Sequence, residues 1–280
     1  MTHQPPVALT IAGSDSGAGA GIQADLKTMS ALGVFGVTAI TAVTAQNTAR
    51  VDGVHPIPAS FVDRQIETVL ADLPVAATKT GMLGTAEIIG VVGRRAGSGD
   101  LPNLVVDPVM VSSSGQRLLD DGGVDAYREL LIPHALLVTP NLWEAALLCG
   151  RDPATLTDVE GMTTAARALQ ALGPDWVLVK GGHLAGVEPA PGMPAASVVP
   201  DVLYDGTTVT VLSAEWVNTP NTHGTGCSLS AAIAAKLASG SDLVTAVTDA
   251  KAYVHDALVG AAGWRLGKGH GPLDHFGVSG

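Results

Sequence analysis

VALTIAG (residues 7–13), IQADLKTMSALG (22–33) and VTAITAVTAQ (37–46) follow one another near the start of the chain and decide its fold class. The first and third are apolar, β-rich runs, whereas the second repeats its apolar residues at helical spacing. Similar apolar runs recur at NLVVDPVM (103–110), ALLVTPN (135–141) and DWVLVKGG (175–182). Such runs are typical of parallel strands covered by helices on both faces, so we expect an α/β three-layer sandwich around a mostly parallel central sheet.

Two further segments predict local elements. VLYDGTTVTVL (202–212) has Asp205-Gly206 between two strand-like runs, which predicts a small antiparallel hairpin. SFVDRQIETVLADL (60–73) carries one apolar stripe at helical spacing, with Ser60 as the expected N-cap. The central sheet is therefore expected to be mixed.

The chain length bounds the number of domains. With 280 residues, 46% of them hydrophobic, the chain can bury one substantial core, so we expect a single domain over residues 1–280. Residues 185–200 are rich in proline and glycine and are expected to form a mobile surface loop. Residues 263–280 are expected to form a C-terminal tail.

Charge and cysteine content narrow the class of partner. A formal charge of −11 argues against a nucleic-acid or anionic-membrane surface, which would need clustered Lys and Arg. Cys149 and Cys227 have no Cys-x-x-Cys spacing, so we expect free thiols in a reducing, cytoplasmic compartment. MTHQPPVALTIAG (1–13) has no basic region and too short an apolar run for a signal peptide, and no apolar stretch approaches membrane length.

The sequence matches two common nucleotide-binding motifs only in part, and both are excluded. GAGIQA (19–24) fits G-x-G-x-x-A, but no acidic residue follows the second strand until Asp52, so the ribose contact of a dinucleotide site is missing. Lys79-Thr80 lacks the glycines of a P-loop. A phosphate ligand would therefore have to be bound by another device.

NTPNTHGTGC (218–227) runs directly into the helical SLSAAIAAKLA (228–238) and is a candidate for that device. Unpaired N–H groups and the positive end of a helix dipole would meet between His223 and Cys227, where a phosphate can be held. A thiol in this first turn is expected to have a lowered pKa, which makes Cys227 a candidate base or nucleophile. On these residues alone, a plain glycine-rich turn with Cys227 as a small core residue is an equal alternative.

Seven segments together resemble one family, the hydroxymethylpyrimidine/phosphomethylpyrimidine kinases of thiamine biosynthesis. They occur in the family's order over about residues 7–262, and they are AGSDSGAGAGIQAD (12–25), TAQNT (44–48), KTGML (79–83), VDPVM (106–110), TPNLWEA (139–145), VKGGH (179–183) and NTHGTGCSLSAAIAA (221–235). The resemblance implies a ribokinase-like fold, a site at the carboxyl ends of the strands, and a homodimer. The segment 187–199 is longer and richer in proline than is typical of the family.

The resemblance also implies ATP and Mg²⁺ as cofactors. Asp107 and Glu144 would serve the metal, which takes few protein carboxylates and keeps waters and phosphate oxygens. Without the family, Glu144 would be interpreted as an acidic residue that favours a helix dipole. Lys180 would contact the ATP phosphates, and the expected nucleotide-binding set is completed by Asn141, Thr225 and Gly226.

The phosphate-binding turn would supply the catalytic groups. By resemblance, the backbone N–H groups of Gly224, Thr225, Gly226 and Cys227 form an anion hole for the transferred phosphoryl group. Cys227 stands where related sugar kinases carry an aspartate that removes the substrate's proton. It would act as that base, or else position the substrate while proton removal is left partly to phosphate. His223 is expected to be structural.

The substrate side follows from the same resemblance. Gln46 and Asp25 offer the donors and acceptors that a ring nitrogen and an exocyclic amine require. Backbone contacts are expected from Gly13 and from Val43 or Thr44, and apolar packing over the ring from Met82 and Val109. Segments 17–21 and 202–212 are expected to close over the site.

The resemblance predicts ATP-dependent phosphorylation of 4-amino-5-hydroxymethyl-2-methylpyrimidine and then of its monophosphate. The expected partner is thus a small pyrimidine, with no nucleic acid and no membrane. Two alternatives stay open. One is a pyridoxal kinase, because pyridoxal presents a similar hydroxymethyl heteroaromatic ring. The other is a pyrimidine sensor without catalysis, which the presence of Asp107, Glu144, Lys180 and Cys227 argues against.

Overall fold

A computed structural model describes residues 4–111, 115–182 and 198–277 of the chain. Over these residues one sheet forms, with strands in the order β3-β2-β1-β4-β5-β6-β7-β8-β9. The strands are β1 (Val7–Ser14), β2 (Phe35–Gln46), β3 (Val51–Pro56), β4 (Val75–Thr80), β5 (Leu104–Val106), β6 (Leu137–Val138), β7 (Trp176–Lys180), β8 (Val198–Tyr204) and β9 (Val209–Glu215).

The middle of the sheet is parallel. Strands β2, β1, β4, β5, β6 and β7 pair in parallel with their neighbours, which confirms the predicted mostly parallel sheet. Buried side chains alternate between the two faces: Val105 packs into one core cluster and Val106 into the other. Apolar residues on both faces explain why these strands appear as continuous hydrophobic runs.

Both edges of the sheet are antiparallel. Strands β8 and β9 form the predicted hairpin, and β3 pairs antiparallel with β2 at the other edge. Strand β3 was not predicted, because most of its residues are exposed and it carries no apolar run. The register also shows that the hairpin cannot cover the site. It pairs Lys180 with Asp201 and Val177 with Tyr204, so the turn after Tyr204 lies at the amino end of β7, away from the site.

Helices cover both faces, as a three-layer sandwich requires. They are α1 (Gly21–Ala31), α2 (Ala59–Leu70), α3 (Ala86–Gly97), α4 (Gly123–Ala126), α5 (Leu142–Leu148), α6 (Val159–Gln170), α7 (Thr225–Ala238) and α8 (Leu243–Ala261). A π-helical turn (Tyr127–Leu131) and a 3₁₀ turn (Ile132–His134) continue α4, and another 3₁₀ turn spans Pro153–Thr155. Helices α2 to α6 share one core cluster, while α7 and α8 pack on the other face beside α1.

Three local predictions can be compared with the structure. Helix α2 begins at Ala59 with Pro58 in the N-cap position, so Ser60 is inside the helix and is not its cap. The predicted mobile loop at 185–200 lies outside the described residues as far as residue 197, and residues 198–200 belong to β8. The predicted tail has no helix or strand from 263 to 277 but is packed onto the domain, because Leu273 and His275 are buried. No helix in the described ranges is long and apolar enough to cross a membrane.

Candidate active site

Polar side chains gather where β5, β6 and β7 end. Asp107 follows β5, Asn141 lies three residues beyond β6, and Lys180 is the last residue of β7. Parallel strands bring their carboxyl ends to one edge, and the Lys180 Nζ lies 2.8 Å from the Asp107 Oδ1. The side chain of Asp107 is 2% exposed and that of Lys180 is 15% exposed, so this ion pair sits at the floor of the site.

Two hydroxyl groups hold the Asp107 carboxylate in place. Thr139 Oγ1 donates to Oδ1 over 3.3 Å, and Ser230 Oγ lies 3.4 Å from Oδ2 and 3.0 Å from the Gly226 carbonyl, which its hydroxyl can also reach. Both residues are buried. Neither residue was predicted as part of the site, because isolated Thr and Ser residues carry no pattern until the fold brings them to the aspartate.

Glu144 lies in the first turn of α5, beside this ion pair. Its Oε2 accepts the Asn141 backbone N–H at 2.8 Å, while its own N–H donates to the Asn141 Oδ1 at 2.9 Å, a capping box. Burial raises the pKa of the Glu144 carboxyl to about 7, and the negative charge of Asp107 adds to that rise while Lys180 opposes it. Glu144 is therefore a buried carboxyl close to Asp107. A nearby cation would favour the ionised form of Glu144.

Residues 223–227, which we call the α7 turn, lie above Lys180 and Asp107. Gly224 is the N-cap with φ +88°, a left-handed conformation that favours glycine. A Cβ on Gly224 would overlap the carbonyl oxygen of Gly19, so residues 15–20, the glycine-rich loop between β1 and α1, pack directly against this turn. The Ser228 N–H donates to the Gly224 carbonyl at 2.8 Å, which is the first hydrogen bond of the helix. Helix geometry leaves the N–H groups before it, on Gly226 and Cys227, to face a ligand.

Gly226 links the α7 turn to the ion pair. A Cβ added to Gly226 would lie 3.3 Å from the Lys180 Nζ and 3.6 Å from the Asp107 Oδ2. The turn therefore approaches both charged groups through a position without a side chain. Lys180, Asp107 and Gly226, all predicted as site residues, are brought together.

The predicted low pKa of Cys227 is wrong. Its half-buried thiol is at the helix N-terminus as expected, yet burial raises its pKa to about 11. The Lys79 ammonium opposes the rise, whereas the Asp25 and Asp107 carboxylates add to it. The helix end does not overcome the cost of burying a thiolate, to which the two carboxylates add, so the thiol is protonated at neutral pH.

Asp15 organises the glycine-rich loop and was missed in the sequence. Its carboxylate accepts the N–H groups of Gly17, Gly19 and Ala20 at 2.8, 3.1 and 2.9 Å, and lies 3.0 Å from the His223 Nε2. Burial alone would raise the pKa of Asp15, but these hydrogen bonds outweigh burial and lower it. His223 thus connects the loop to the α7 turn, consistent with the structural role expected of it.

Gln46 lies at the end of β2, beside His223. Its Nε2 is 3.4 Å from the His223 Nε2, and its Oε1 accepts from the Thr44 Oγ1 at 3.2 Å. Gln46 is therefore adjacent to the α7 turn, and Thr44 contacts Gln46. The neighbouring Val43 is 45% exposed.

Asp25 does not face open space. It is fully buried, with Thr10 Oγ1 donating to one carboxylate oxygen at 2.6 Å and Lys79 Nζ donating to the other at 2.8 Å. Both oxygens are occupied within the protein, so the predicted direct contact of Asp25 with a substrate is not what this geometry favours. Lys79, which is also fully buried, was not identified as a site residue from the sequence.

Gly13, expected to give a backbone contact, and Met82, expected to pack over the ring, form one surface. The Met82 methyl lies so close to Gly13 that a Cβ there would overlap it, and the Met82 carbonyl accepts the Thr41 hydroxyl at 2.6 Å. Gly13 and Met82 are thus in direct contact. Val109 is half-buried and belongs to the neighbourhood of the ion pair, because its N–H donates to the Asp107 carbonyl at 2.9 Å.

A metal fits this set of donors only in part. No cluster of three His, Cys, Asp or Glu residues able to hold an ion occurs in the described ranges. Asp107 and Glu144 are two neighbouring carboxylates, and magnesium in phosphoryl-transfer sites commonly uses one or two carboxylates with phosphate oxygens and waters. The residues are thus compatible with Mg²⁺ that arrives with a nucleotide.

Solved structures of small-molecule kinases share this fold. The ADP complex of Bacillus subtilis pyridoxal kinase superposes with a TM-score of 0.85 at 38% identity, over 97% of this chain and 98% of that chain. A phosphomethylpyrimidine kinase from Clostridium difficile 630 superposes with a TM-score of 0.76 at 38% identity, over 90% of this chain and 99% of that one. The fold and the site together define a ribokinase-like kinase of small molecules.

The family follows from the sequence comparisons. The model of the phosphomethylpyrimidine kinase family matches residues 15–274, so this chain belongs to that family. Among curated relatives, the hydroxymethylpyrimidine/phosphomethylpyrimidine kinase of Rhizobium meliloti (strain 1021) is 50% identical over 96% of this chain and 97% of its own length. The family resemblance inferred from the seven sequence segments is confirmed.

Proposed function

We propose that this protein is an ATP-dependent kinase that phosphorylates 4-amino-5-hydroxymethyl-2-methylpyrimidine and then its monophosphate to the diphosphate used in thiamine synthesis. The observation that carries the proposal is the close approach of Gly226 to the Lys180–Asp107 ion pair, since a Cβ on Gly226 would lie only 3.3 Å from the ammonium. A helix N-terminus and a buried ammonium then act on the same phosphoryl group. Enzymes accelerate phosphoryl transfer mainly through such positioning and charge neutralisation.

The nucleotide is proposed to bind across the carboxyl ends of β7 and β9. A cavity of about 310 Å³ lies there between β9 and α8, lined by residues that include Leu212, Lys251 and Ala252. The Lys251 Nζ lies 2.5 Å from the Asp201 Oδ2, and Asp201 Oδ1 accepts the Gly181 N–H at 2.8 Å, next to Lys180. This connection supports placing the nucleoside in the cavity and its phosphates over Lys180. Ala252→Trp, which fills the cavity, should raise the KM for ATP and leave the KM for the pyrimidine unchanged.

Mg²⁺ is proposed to be held by Asp107 and Glu144 together with the nucleotide's phosphates, where it would neutralise phosphate charge. Asn141 orients Glu144 through the capping box. Lys180 remains paired with Asp107 and supplies a positive charge towards the transferred group. Replacing Glu144 by Gln should weaken the dependence of activity on magnesium concentration, and an unchanged dependence would count against this placement.

In the proposed transfer, the pyrimidine's hydroxyl oxygen forms a bond to the γ-phosphorus while the bond from that phosphorus to the bridging oxygen of ADP breaks. The N–H groups of Gly226 and Cys227 hold the transferred phosphoryl oxygens. Because the Cys227 thiol has a pKa of about 11, it positions the hydroxyl and does not remove its proton, which passes to a phosphate oxygen.

The pyrimidine is proposed to bind between Gln46 and the surface formed by Gly13 and Met82. The Gln46 amide offers both donors and an acceptor, which suits an aminopyrimidine edge. Backbone groups of Val43 and Thr44 continue that edge, and Val109 lies across the ring. Asp25 is proposed not to touch the pyrimidine, since both its oxygens are already bound. It would influence the site only through its ion-pair partner Lys79.

Pyridoxal kinase activity is a second candidate, favoured by one observation. A protein described as a pyridoxal kinase superposes on almost the whole of this chain. Its identity to this chain is 38%, against 50% for the relative described as acting on hydroxymethylpyrimidine and its phosphate. We therefore place the pyrimidine first.

The deciding experiment measures ADP release by the purified protein with Mg-ATP and each of hydroxymethylpyrimidine, its monophosphate and pyridoxal. We expect turnover of both pyrimidines, exceeding that of pyridoxal. Turnover of pyridoxal alone would overturn the proposal, and no turnover with any substrate would favour a pyrimidine sensor.

Cys227→Ala separates the two roles proposed for the thiol, general base and positioning of the substrate. The second acceptor is a phosphate oxygen that needs no base, so a positioning role predicts losses in both steps, and a base role predicts loss of the first alone.

Three further properties belong to the proposal. A homodimer is supported by the exposed apolar residues Val43 and Val54 on the β2–β3 edge.

A cytoplasmic location is supported by the two free thiols, Cys149 and Cys227, and is tested by cell fractionation. A single domain over residues 1–280 is supported by the continuous nine-stranded sheet of the described residues, and should give one cooperative calorimetric transition.

A further inference from the structure

Residues 264–277, which we call the C-terminal segment, are irregular in structure but deeply packed. Leu273, Asp274 and His275 are 1%, 3% and 2% exposed. Leu273 belongs to the core cluster formed by α7 and α8, and the Asp274 N–H donates to the Ala257 carbonyl of α8 at 3.0 Å. Such burial of an irregular segment indicates that it has specific partners.

The first of these partners precedes the α7 turn. The His223 N–H donates to the Gly271 carbonyl at 3.0 Å, and Gly271 packs so tightly on Asn221 that no Cβ would fit between them. Asn221 in turn donates through its Nδ2 to the carbonyls of Ala261 at 2.7 Å and Trp264 at 3.2 Å. The entry to the turn is thus fixed to the end of α8 and to the C-terminal segment.

The second partner follows the α7 turn. The His275 Nε2 and the Ser228 Oγ are 2.8 Å apart, and both side chains are buried. Ser228 is the residue whose N–H makes the first helical hydrogen bond of α7, to Gly224. The C-terminal segment therefore contacts the residues on both sides of Gly224, Thr225, Gly226 and Cys227.

We propose that the C-terminal segment is a positioning element for phosphoryl transfer, with His275 and Asn221 as positioning residues that touch neither substrate. By fixing His223 and Ser228, it holds the N–H groups of Gly226 and Cys227 towards the Lys180–Asp107 pair. Preorganised donors stabilise a transition state only when they do not have to reorient during the reaction. This inference rests on the proposed function, since it assumes that the α7 turn binds the transferred phosphoryl group.

A buried hydrogen bond between two neutral side chains is a sensitive point for such a role. Removing one partner leaves the other without its bond in a site that water does not reach. The turn would then relax by a fraction of an ångström, and misplacement of about 1 Å can cost roughly 100-fold in rate. A purely stabilising role would instead lower the melting temperature and leave kcat unchanged in the folded protein.

The test compares His275→Ala and Ser228→Ala with two controls. Phe276→Ala alters an exposed residue of the same segment, and Ser239→Ala alters an exposed serine at the other end of α7. Measured well below each melting temperature, kcat should fall about 10- to 100-fold in the first two, with KM for the pyrimidine changing less than about threefold. The controls should retain wild-type kcat. His275→Gln, which keeps a hydrogen-bonding group towards Ser228, should recover most of the activity.

Hydrogen exchange distinguishes failure of this inference from failure of the proposed function. Amides of the α7 turn should exchange faster in His275→Ala than in Phe276→Ala, whether or not the protein phosphorylates pyrimidines. Wild-type kcat in folded His275→Ala and Ser228→Ala, or unchanged exchange in the α7 turn, would overturn the positioning role. An inactive wild-type protein with faster exchange in His275→Ala would overturn the catalytic part of the inference and retain the structural one.

Discussion

At the scale of single residues, burial decides which polar groups can ionise. The thiol of Cys227 and the carboxyl of Glu144 both have raised pKa values, to about 11 and about 7, because the folded chain removes them from water. Lys79 and Asp25 are fully buried as well, and each is partnered by the other. Charged residues are kept in such places only in pairs, since an isolated buried charge is very costly.

The Lys79–Asp25 pair gives the first prediction. Lys79→Met leaves the Asp25 carboxylate without its ion pair, so the free energy of unfolding should fall by about 3–5 kcal/mol. The double variant Lys79→Met/Asp25→Asn removes both charges and should lose less. Urea unfolding of the three proteins measures this, and an equal or greater loss in the double variant would contradict the argument.

His275 gives a prediction about acid stability. Burial, aided by the Lys27 charge and opposed by Asp274, lowers its pKa from 6.5 to about 4. The folded protein therefore resists protonation of His275 more than the unfolded chain does. The resulting stability is complete above the unfolded pKa of 6.5 and is lost as the pH falls towards 4, an effect on the order of 3 kcal/mol.

His275→Gln removes this titration but keeps a hydrogen-bonding group. Between about pH 7 and about pH 4.5 the wild-type protein should lose roughly 2–3 kcal/mol more unfolding free energy than the variant. Urea unfolding across that range is the measurement. Parallel losses in both proteins would show that His275 does not dominate the acid response.

At the scale of elements, the proposed phosphate site at the α7 turn would favour access for a ligand at the expense of helix stability. Glycine inside a helix costs about 1 kcal/mol relative to alanine. Gly226 nevertheless occupies the second position of α7, where its missing side chain leaves the approach to Lys180 open. The strand ends contribute the charged residues of the candidate site, since Asp107 follows β5 and Lys180 ends β7 at one edge of the sheet.

Gly226→Ala should therefore separate stability from activity. Its backbone is helical and needs no strain to accept alanine, so the melting temperature should stay the same or rise. The added methyl group, 3.3 Å from the Lys180 Nζ, would intrude on the proposed phosphate site, so kcat/KM should fall at least about 10-fold. Gly90→Ala in α3, where the nearest atom is 3.7 Å from the new methyl, is the matched control and should keep its activity.

At the scale of the whole molecule, the sheet leaves one edge strand exposed. β3 is mostly exposed, and Val54 within it is 39% exposed. An uncovered edge with apolar side chains invites pairing with another chain, which supports the proposed homodimer. The other antiparallel edge, β8–β9, lies against α8 around the cavity of about 310 Å³.

Val54→Glu tests the dimer. A charge on this edge should shift the protein from dimer to monomer in sedimentation velocity, because an unpaired carboxylate would be buried on association. Val259→Glu, on α8 and 53% exposed, is the control and should leave the assembly unchanged. A wild-type monomer, or a dimer that survives Val54→Glu, would place the interface elsewhere or remove it.

Much of the fold was predictable because its signals are local. Strands buried on both faces appear as apolar runs, as at 103–110, whereas β3 escaped because a mostly exposed edge strand needs no such run. The N-cap of α2 was wrongly predicted at Ser60 because a side-chain cap was assumed. Pro58 occupies the N-cap position and makes no such hydrogen bond. Charge, cysteine count and the motif order likewise depend on composition and sequence alone.

The order of residues was enough to establish the layered α/β fold and the family, and to predict that Asp107, Lys180 and the α7 turn belong to one site. Only the tertiary structure showed that Asp25 is bound to Lys79, that the Cys227 thiol is protonated at neutral pH, and that His275 is hydrogen-bonded to Ser228. Strand and helix patterns are set by neighbours along the chain, whereas hydrogen-bond partners and pKa values are set by groups that meet only after folding.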